Sequence, residues 1–149
     1  MTRIAAAAVV ALGLGASSYL TYVHYAGGRV ACPTSGCERV QESFYATPHG
    51  VPISLAGALL FLALGALLFL GRQRLRLLET GAALGGAIVA VYLIGVQLLS
   101  LHAICLWCLT SDVALVILAS LAVVRLIVER PPAHAGAGAA TGVRGVSKR

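Results

Sequence analysis

Four runs of the 149-residue chain are each long and apolar enough to cross a bilayer, a passage that takes about 20 helical residues. They cover residues 4–25, 51–70, 77–101 and 104–128. Nothing in the hydrocarbon can hydrogen-bond an open backbone, so runs of this length must satisfy themselves as helices. The expected fold class is an all-α integral membrane protein, a bundle of four transmembrane helices. Composition agrees: 59% of residues are hydrophobic and 11% charged, against about 25% charged in soluble domains. So few charges leave too little polar surface for a soluble fold. The first run follows Arg3 as a signal peptide would, yet it is long for one. The small residues near Ser17 also lead into more apolar sequence, so a retained span is expected.

The domain expectation is one membrane domain over residues 1–128, with a loop at 26–50 between the first two spans. A basic tail at 129–149, rich in Gly, Ala and Pro, is expected to be disordered. The net charge of +6 reads as topology rather than as a nucleic-acid footprint. Arg3, Arg72, Arg74, Arg76, Arg125, Arg130, Arg144, Lys148 and Arg149 share one side if the chain crosses four times. In the 26–50 loop, Arg29 and Arg39 are balanced by Glu38 and Glu42. The positive-inside rule then puts both termini in the cytoplasm of a multi-pass cell-membrane protein, inner or plasma membrane, and the first loop outside.

That topology gathers all four cysteines at the extracytoplasmic face, where disulfides persist. Cys32 and Cys37 lie in "ACPTSGC", and Cys105 and Cys108 open the fourth span as "CLWC". Four cysteines allow three connectivities. Local pairing has a physical argument in each case: Pro33 and Gly36 favour a turn, and helical residues three apart are about 5–6 Å neighbours. Loops this short make weak staples, because the stabilisation grows with the residues enclosed, so exchange chemistry explains them better. At a helix N-terminus the thiolate of Cys105 is favoured, which offers that thiol to the aqueous face. Cys108 lies about 4.5 Å further along the helix axis, toward the membrane interior. Purely structural disulfides are one alternative. A four-thiolate zinc site is another, with acceptable spacing but an unusual setting at the start of a span; no metal is expected.

The stretches "CPTSGCERVQES" (32–43), "HGVPISLAG" (49–57) and "CLWC" (105–108) together resemble the bacterial branch of the vitamin K epoxide reductase family. The likeness runs from the first span to Val128. It implies four helices around a quinone pocket, capped by the first outside loop and a short helix in it. It further implies an oxidoreductase that takes electrons from a secreted thioredoxin-fold, DsbA-like partner and supports disulfide bond formation. Cys32 and Cys37 match the shuttle pair, Cys105 and Cys108 the active-site pair, and Ser43 the family's loop serine. Cys108 would face the quinone, ubiquinone or menaquinone, and Cys105 would exchange with the loop. A DsbB-type quinone reductase has similar chemistry, but there the two cysteine patterns come in the opposite order. A non-enzymatic four-helix scaffold with structural disulfides is the remaining alternative. The animal enzymes use an asparagine near the quinone and a tyrosine four residues after the second active-site cysteine. This chain has no Asn, and Asp112 stands at the tyrosine's place; both departures favour a membrane quinone over vitamin K epoxide.

Among the other polar residues, Asp112 is the only acid well inside a span, and intramembrane acids are costly and commonly functional. Asp112 is a candidate for the quinone site and for handling protons there, or else a hydrated carboxylate near the outer interface. His49 is a candidate quinone contact, Trp107 a contact of the quinone, the loop or the interface, and Gln97 and Tyr92 weaker candidates. His102 reads as a solvated turn residue, and His24 with Tyr19, Tyr22 and Tyr25 as an interfacial belt.

Overall fold

A computed structural model describes residues 2–32, 36–70 and 73–128. The 129–149 tail, the 71–72 link with Arg72, and the side chains of His49 and Arg74 fall outside the described residues. The elements are α1 (Thr2–Ala26), α2 (Gly36–Gln41), a 3-10 turn (Pro48–Gly50), α3 (Ile53–Leu70), α4 (Gln73–Gly95) and α5 (Leu106–Val128). A π-helical turn over Val96–Ser100 extends α4. The stretches of membrane-spanning length and composition are Arg3–Ala26, Ile53–Leu70, Leu75–Ser100 and Leu106–Val128.

Local chemistry sets where these helices begin and end. Gly27 takes a left-handed φ of 64°, its N–H donates to the His24 carbonyl, and Gly28 N–H donates to that of Val23. This paired closure is the glycine-dependent helix stop of the Schellman motif. The second span starts at Ile53 rather than Val51, because Pro52 holds the residue before it extended, with φ −104° and ψ 125° at Val51. The last begins at Leu106 rather than Ile104, with the Cys105 carbonyl accepting the first helical bond from Leu109 N–H at 2.9 Å.

The helices pack in a ring: α1 lies against α3 and α5, and α4 against the same two neighbours. Lipid offers apolar side chains no reason to leave it, so close backbone approach has to carry the association. The α1–α3 seam is made that way. A Cβ on Gly13 would overlap the fully buried Phe61 ring. Further along the seam, Gly65 stands 3.3 Å from Val10 and Gly57 3.2 Å from Ser17 Oγ, measured to the position a Cβ would take. Around the bundle Leu12, Phe69, Ile88 and Leu99 are exposed, as lipid-facing residues should be. At the end away from the cysteines, Arg125 Nη1 of α5 meets Glu79 Oε1 of α4 at 3.6 Å.

Replacing Gly13 by Val should lower the thermal unfolding midpoint in detergent, with a cost of about 1–3 kcal/mol for overpacking. Gly15→Val, where nothing lies within 4 Å of the new Cβ, should leave the midpoint nearly unchanged in the same measurement.

Candidate active site

The C-terminal ends of α1 and α4 and the N-terminal ends of α3 and α5 meet at one end of the bundle, and α2 lies across it. The sequence of α2 is two-faced: Cys37 and Val40 are buried, while Glu38 and Arg39 are exposed. Gly36 makes the seating possible. A Cβ there would lie 2.5 Å from the Ile104 carbonyl oxygen and 2.9 Å from its nitrogen, so only glycine lets α2 rest on the turn before α5. Cys37 and Cys105, each 0% exposed, fall into one buried cluster with Val40, bordered by Cys32, Trp107 and Cys108. Cys32 and Cys37 form a disulfide, and Cys105 and Cys108 are thiols.

The expectation that Cys105 faces water is corrected by this arrangement, since α2 and its flanking loop cover that thiol. Two aromatic side chains hold the cover through a single residue. The Trp107 Nε1–H donates to the Ala31 carbonyl at 2.9 Å, and the Ala31 N–H donates to Tyr19 Oη at 2.9 Å. The Tyr19 and Trp107 rings pack with centroids 4.7 Å apart. Trp107, a candidate for the quinone or for the loop, is held to the loop; it stands two residues from Cys105 and so on another helix face.

Cys105 is the N-cap of α5. Its Sγ accepts the Cys108 N–H at 3.4 Å, as a capping side chain accepts from the third helical residue. Its own N–H donates to Gln97 Oε1 at 2.9 Å. Cys105 precedes the spanning segment, and its thiol pKa is lowered from the ordinary value. The hydrogen bond from the Cys108 thiol is the largest cause, and backbone N–H groups of Cys108 and Trp107 add to it against the opposing effect of burial. Gln97 is buried in the π turn, a distortion that recurs at functional sites. Its Nε2 donates to Asp112 Oδ2 at 3.5 Å, so one amide ties the cap of α5 to a carboxyl one turn below Cys108.

Beneath this cluster the bundle encloses a cavity of about 400 Å³, within the range of small-molecule sites. Its walls are mostly apolar, from Leu20, Leu60, Val89 and Leu115 among others, with Cys108 and Asp112 on one side and Ser43 and Gln41 toward the loop. A quinone fits this lining: an apolar body, a few polar groups at one end and a thiol among them. Ser43 Oγ donates to the Val40 carbonyl at 2.6 Å and closes α2. Gln97 lines the cavity, whereas Tyr92 is exposed on the outside of the bundle. His102 is an exposed turn residue with φ 48°, and His49 lies in the 3-10 turn, with its side chain outside the described residues. Among the described residues no three His, Cys, Asp or Glu side chains group as a metal site. Two of the thiolates that the zinc alternative requires are joined to each other.

Sequence reasoning passed over Gln41, whose Nε2 donates to Cys108 Sγ at 3.3 Å. Its signal was present, four residues after Cys37 and therefore on the same face of α2. The Ser17–Ser111 hydroxyl bond at 3.2 Å, at the cavity wall, had none, since 94 residues separate the partners.

A disulfide packed on a dithiol, at one end of a helical bundle that opens below them into an apolar cavity, defines a membrane oxidoreductase of thiols. The vitamin K epoxide reductase family matches residues 4–123, and the chain belongs to that family, whose members act between thiols and quinones in membranes. No curated protein matches the chain.

Two outcomes follow from the geometry. Thiolate at Cys105 should form at a pH below the ordinary thiol range, and Cys108→Ala should move the inflection upward by removing the donor to Sγ. The pH profile of iodoacetamide labelling, read by mass spectrometry, checks this. Gly36→Ala should lift α2 from Ile104 and speed labelling of Cys105 about tenfold, the equivalent of roughly 1.4 kcal/mol of lost seating.

Proposed function

We propose that the protein is a membrane thiol:quinone oxidoreductase. It oxidises a secreted thioredoxin-fold, DsbA-like partner and passes the electrons through Cys32/Cys37 and then Cys105/Cys108 to a membrane quinone, supporting disulfide bond formation. The observation that carries this reading is the joint burial of Cys37 and Cys105, with Cys108 at the cavity wall. Cys32 is the more exposed member of the loop pair, which suits it to receive the partner's thiolate.

Reduction of the loop pair by the partner frees Cys37, whose thiolate attacks Cys105 Sγ of an oxidised Cys105–Cys108 pair and expels the Cys108 thiolate. Cys32 then attacks Cys37 and releases Cys105, restoring the loop disulfide. Electrons have then moved from the loop pair to the helix pair. A quinone accepts two electrons and two protons, which regenerates the helix disulfide and leaves the hydroquinone to the lipid. A depressed thiol pKa at Cys105 makes it the better leaving group in the resolving step. Gln41 and the loop side of the cavity, with Ser43, hold Cys108 where the acceptor enters.

In this reading residues 1–128 form the membrane domain and 129–149 a basic tail. The cysteine end is extracytoplasmic, because Arg3, Arg76 and Arg125 lie toward the opposite end and basic residues mark the cytoplasm. Asp112 in place of the animal tyrosine supports a quinone acceptor rather than vitamin K epoxide.

Membranes carrying Cys108→Ala should lose quinone-dependent oxidation of a reduced thioredoxin-fold substrate to background; retained activity sinks the mechanism. With Cys32 and Cys108 both Ala, diamide should join Cys37 to Cys105, seen by non-reducing peptide mapping. A non-enzymatic scaffold would instead keep its wild-type cysteines in one redox state as quinone is supplied and withdrawn.

A further inference from the structure

Quinone reduction raises a proton question that the cysteines alone do not answer. Two thiols carry two electrons and two protons, enough for a hydroquinone. Yet Cys105 is built to be a thiolate: it caps α5, accepts the Cys108 N–H, and has its pKa lowered. With Cys105 deprotonated, one proton has to come from elsewhere.

Among the described residues that line the cavity, three carry a side chain that gives up a proton in an ordinary range: Cys108, Tyr45 and Asp112. The serine hydroxyls and glutamine amides do not. Tyr45 sits in the loop and is 38% exposed, whereas Asp112 is 6% exposed. Asp112 is also four residues after Cys108, on the same face of α5 and about 6 Å along the axis. Its Oδ2 accepts from Gln97, whose other amide atom is fixed by the Cys105 N–H. The carboxyl at the cavity wall is therefore tied through Gln97 to the cap of α5.

We propose that Asp112 is the acid that delivers this missing proton to the quinone oxygen, with Gln97 positioning its carboxyl. The assignment rests on the thiol:quinone reading above. The step balances: the Cys105 thiolate, the Cys108 thiol, the Asp112 carboxylic acid and the quinone give the Cys105–Cys108 disulfide, the Asp112 carboxylate and the hydroquinone. Two sulfurs are oxidised by one electron each, and the quinone takes both electrons. One proton comes from Cys108 and one from Asp112, and the net charge is −1 on both sides. Asp112 regains its proton from the loop side, where each exchange cycle releases thiol protons. Among the described residues, the titratable groups facing it are Cys105 at the cap of its helix, Cys108 on that helix and Tyr45 from the loop. Among the same residues, helices α1, α3 and α4 with its π turn present only uncharged polar groups to the cavity, Ser17, Ser54 and Gln97.

The test uses the full-length protein in detergent, reduced and mixed with a short-chain ubiquinone analogue. Infrared difference spectra of the wild type should show a carboxylic-acid band lost as the quinone is reduced, and Asp112→Asn should lack that band. The same variant should slow single-turnover quinone reduction about 100-fold, within the span of general-acid effects, and should flatten its pH profile. Asp112→Glu should restore much of the rate and the pH dependence, which a merely structural role would not predict. If the wild type reduces quinone without the band change, or Asp112→Asn keeps the wild-type rate and profile, Asp112 is not the acid. A wild type that leaves the quinone unreduced overturns the functional reading, and this assignment with it.

Discussion

The contact on which the active site depends is between two backbones, Gly36 of α2 and Ile104 of the turn before α5. Everything at the cysteine end follows from that close approach. It places Cys37 beside the cap of α5, excludes water from both buried sulfurs and completes the roof of the cavity through Val40, Gln41 and Ser43. Ala31 is gripped at its N–H by Tyr19 and at its carbonyl by Trp107, whose rings pack against each other at a tilt. The Arg29–Glu38 ion pair at 3.0 Å is largely exposed and adds little.

The two ends of the bundle solve opposite problems with the same helices. Toward the middle and far end, small residues and Phe61 close the α1–α3 seam, and Glu79 with Arg125 ties α4 to α5. At the cysteine end the helices leave a cavity, and the polar groups around it satisfy one another. Gln97 spans the gap between the α5 cap and Asp112, and the π turn puts its side chain into the interior rather than toward lipid. Burying such groups without partners in a membrane protein would cost several kcal/mol each, roughly.

The four sulfurs differ in burial across this end. Cys32 is the more exposed member of the loop pair, Cys37 and Cys105 are covered, and Cys108 lines the cavity.

Much of this was legible in the residues. Bilayer-length apolar runs dictate four helices because lipid leaves the backbone no other solution. The CxxC at the head of the last run fixes which end carries the chemistry. Boundaries moved by one or more residues wherever capping chemistry, such as Pro52, Gly27 or the Cys105 cap, outweighed hydropathy. Side-chain roles were less legible, because they depend on which helix faces which. Sequence order put Trp107 between the reactive cysteines, but only the folded loop turns it to Ala31. Gln41 reads as a solvated polar residue until α2 lies over Cys108, and Cys105 reads as exposed until α2 covers it. Helical periodicity places residues on a face of their own helix; contacts between chain segments tens of residues apart are set only when the segments pack.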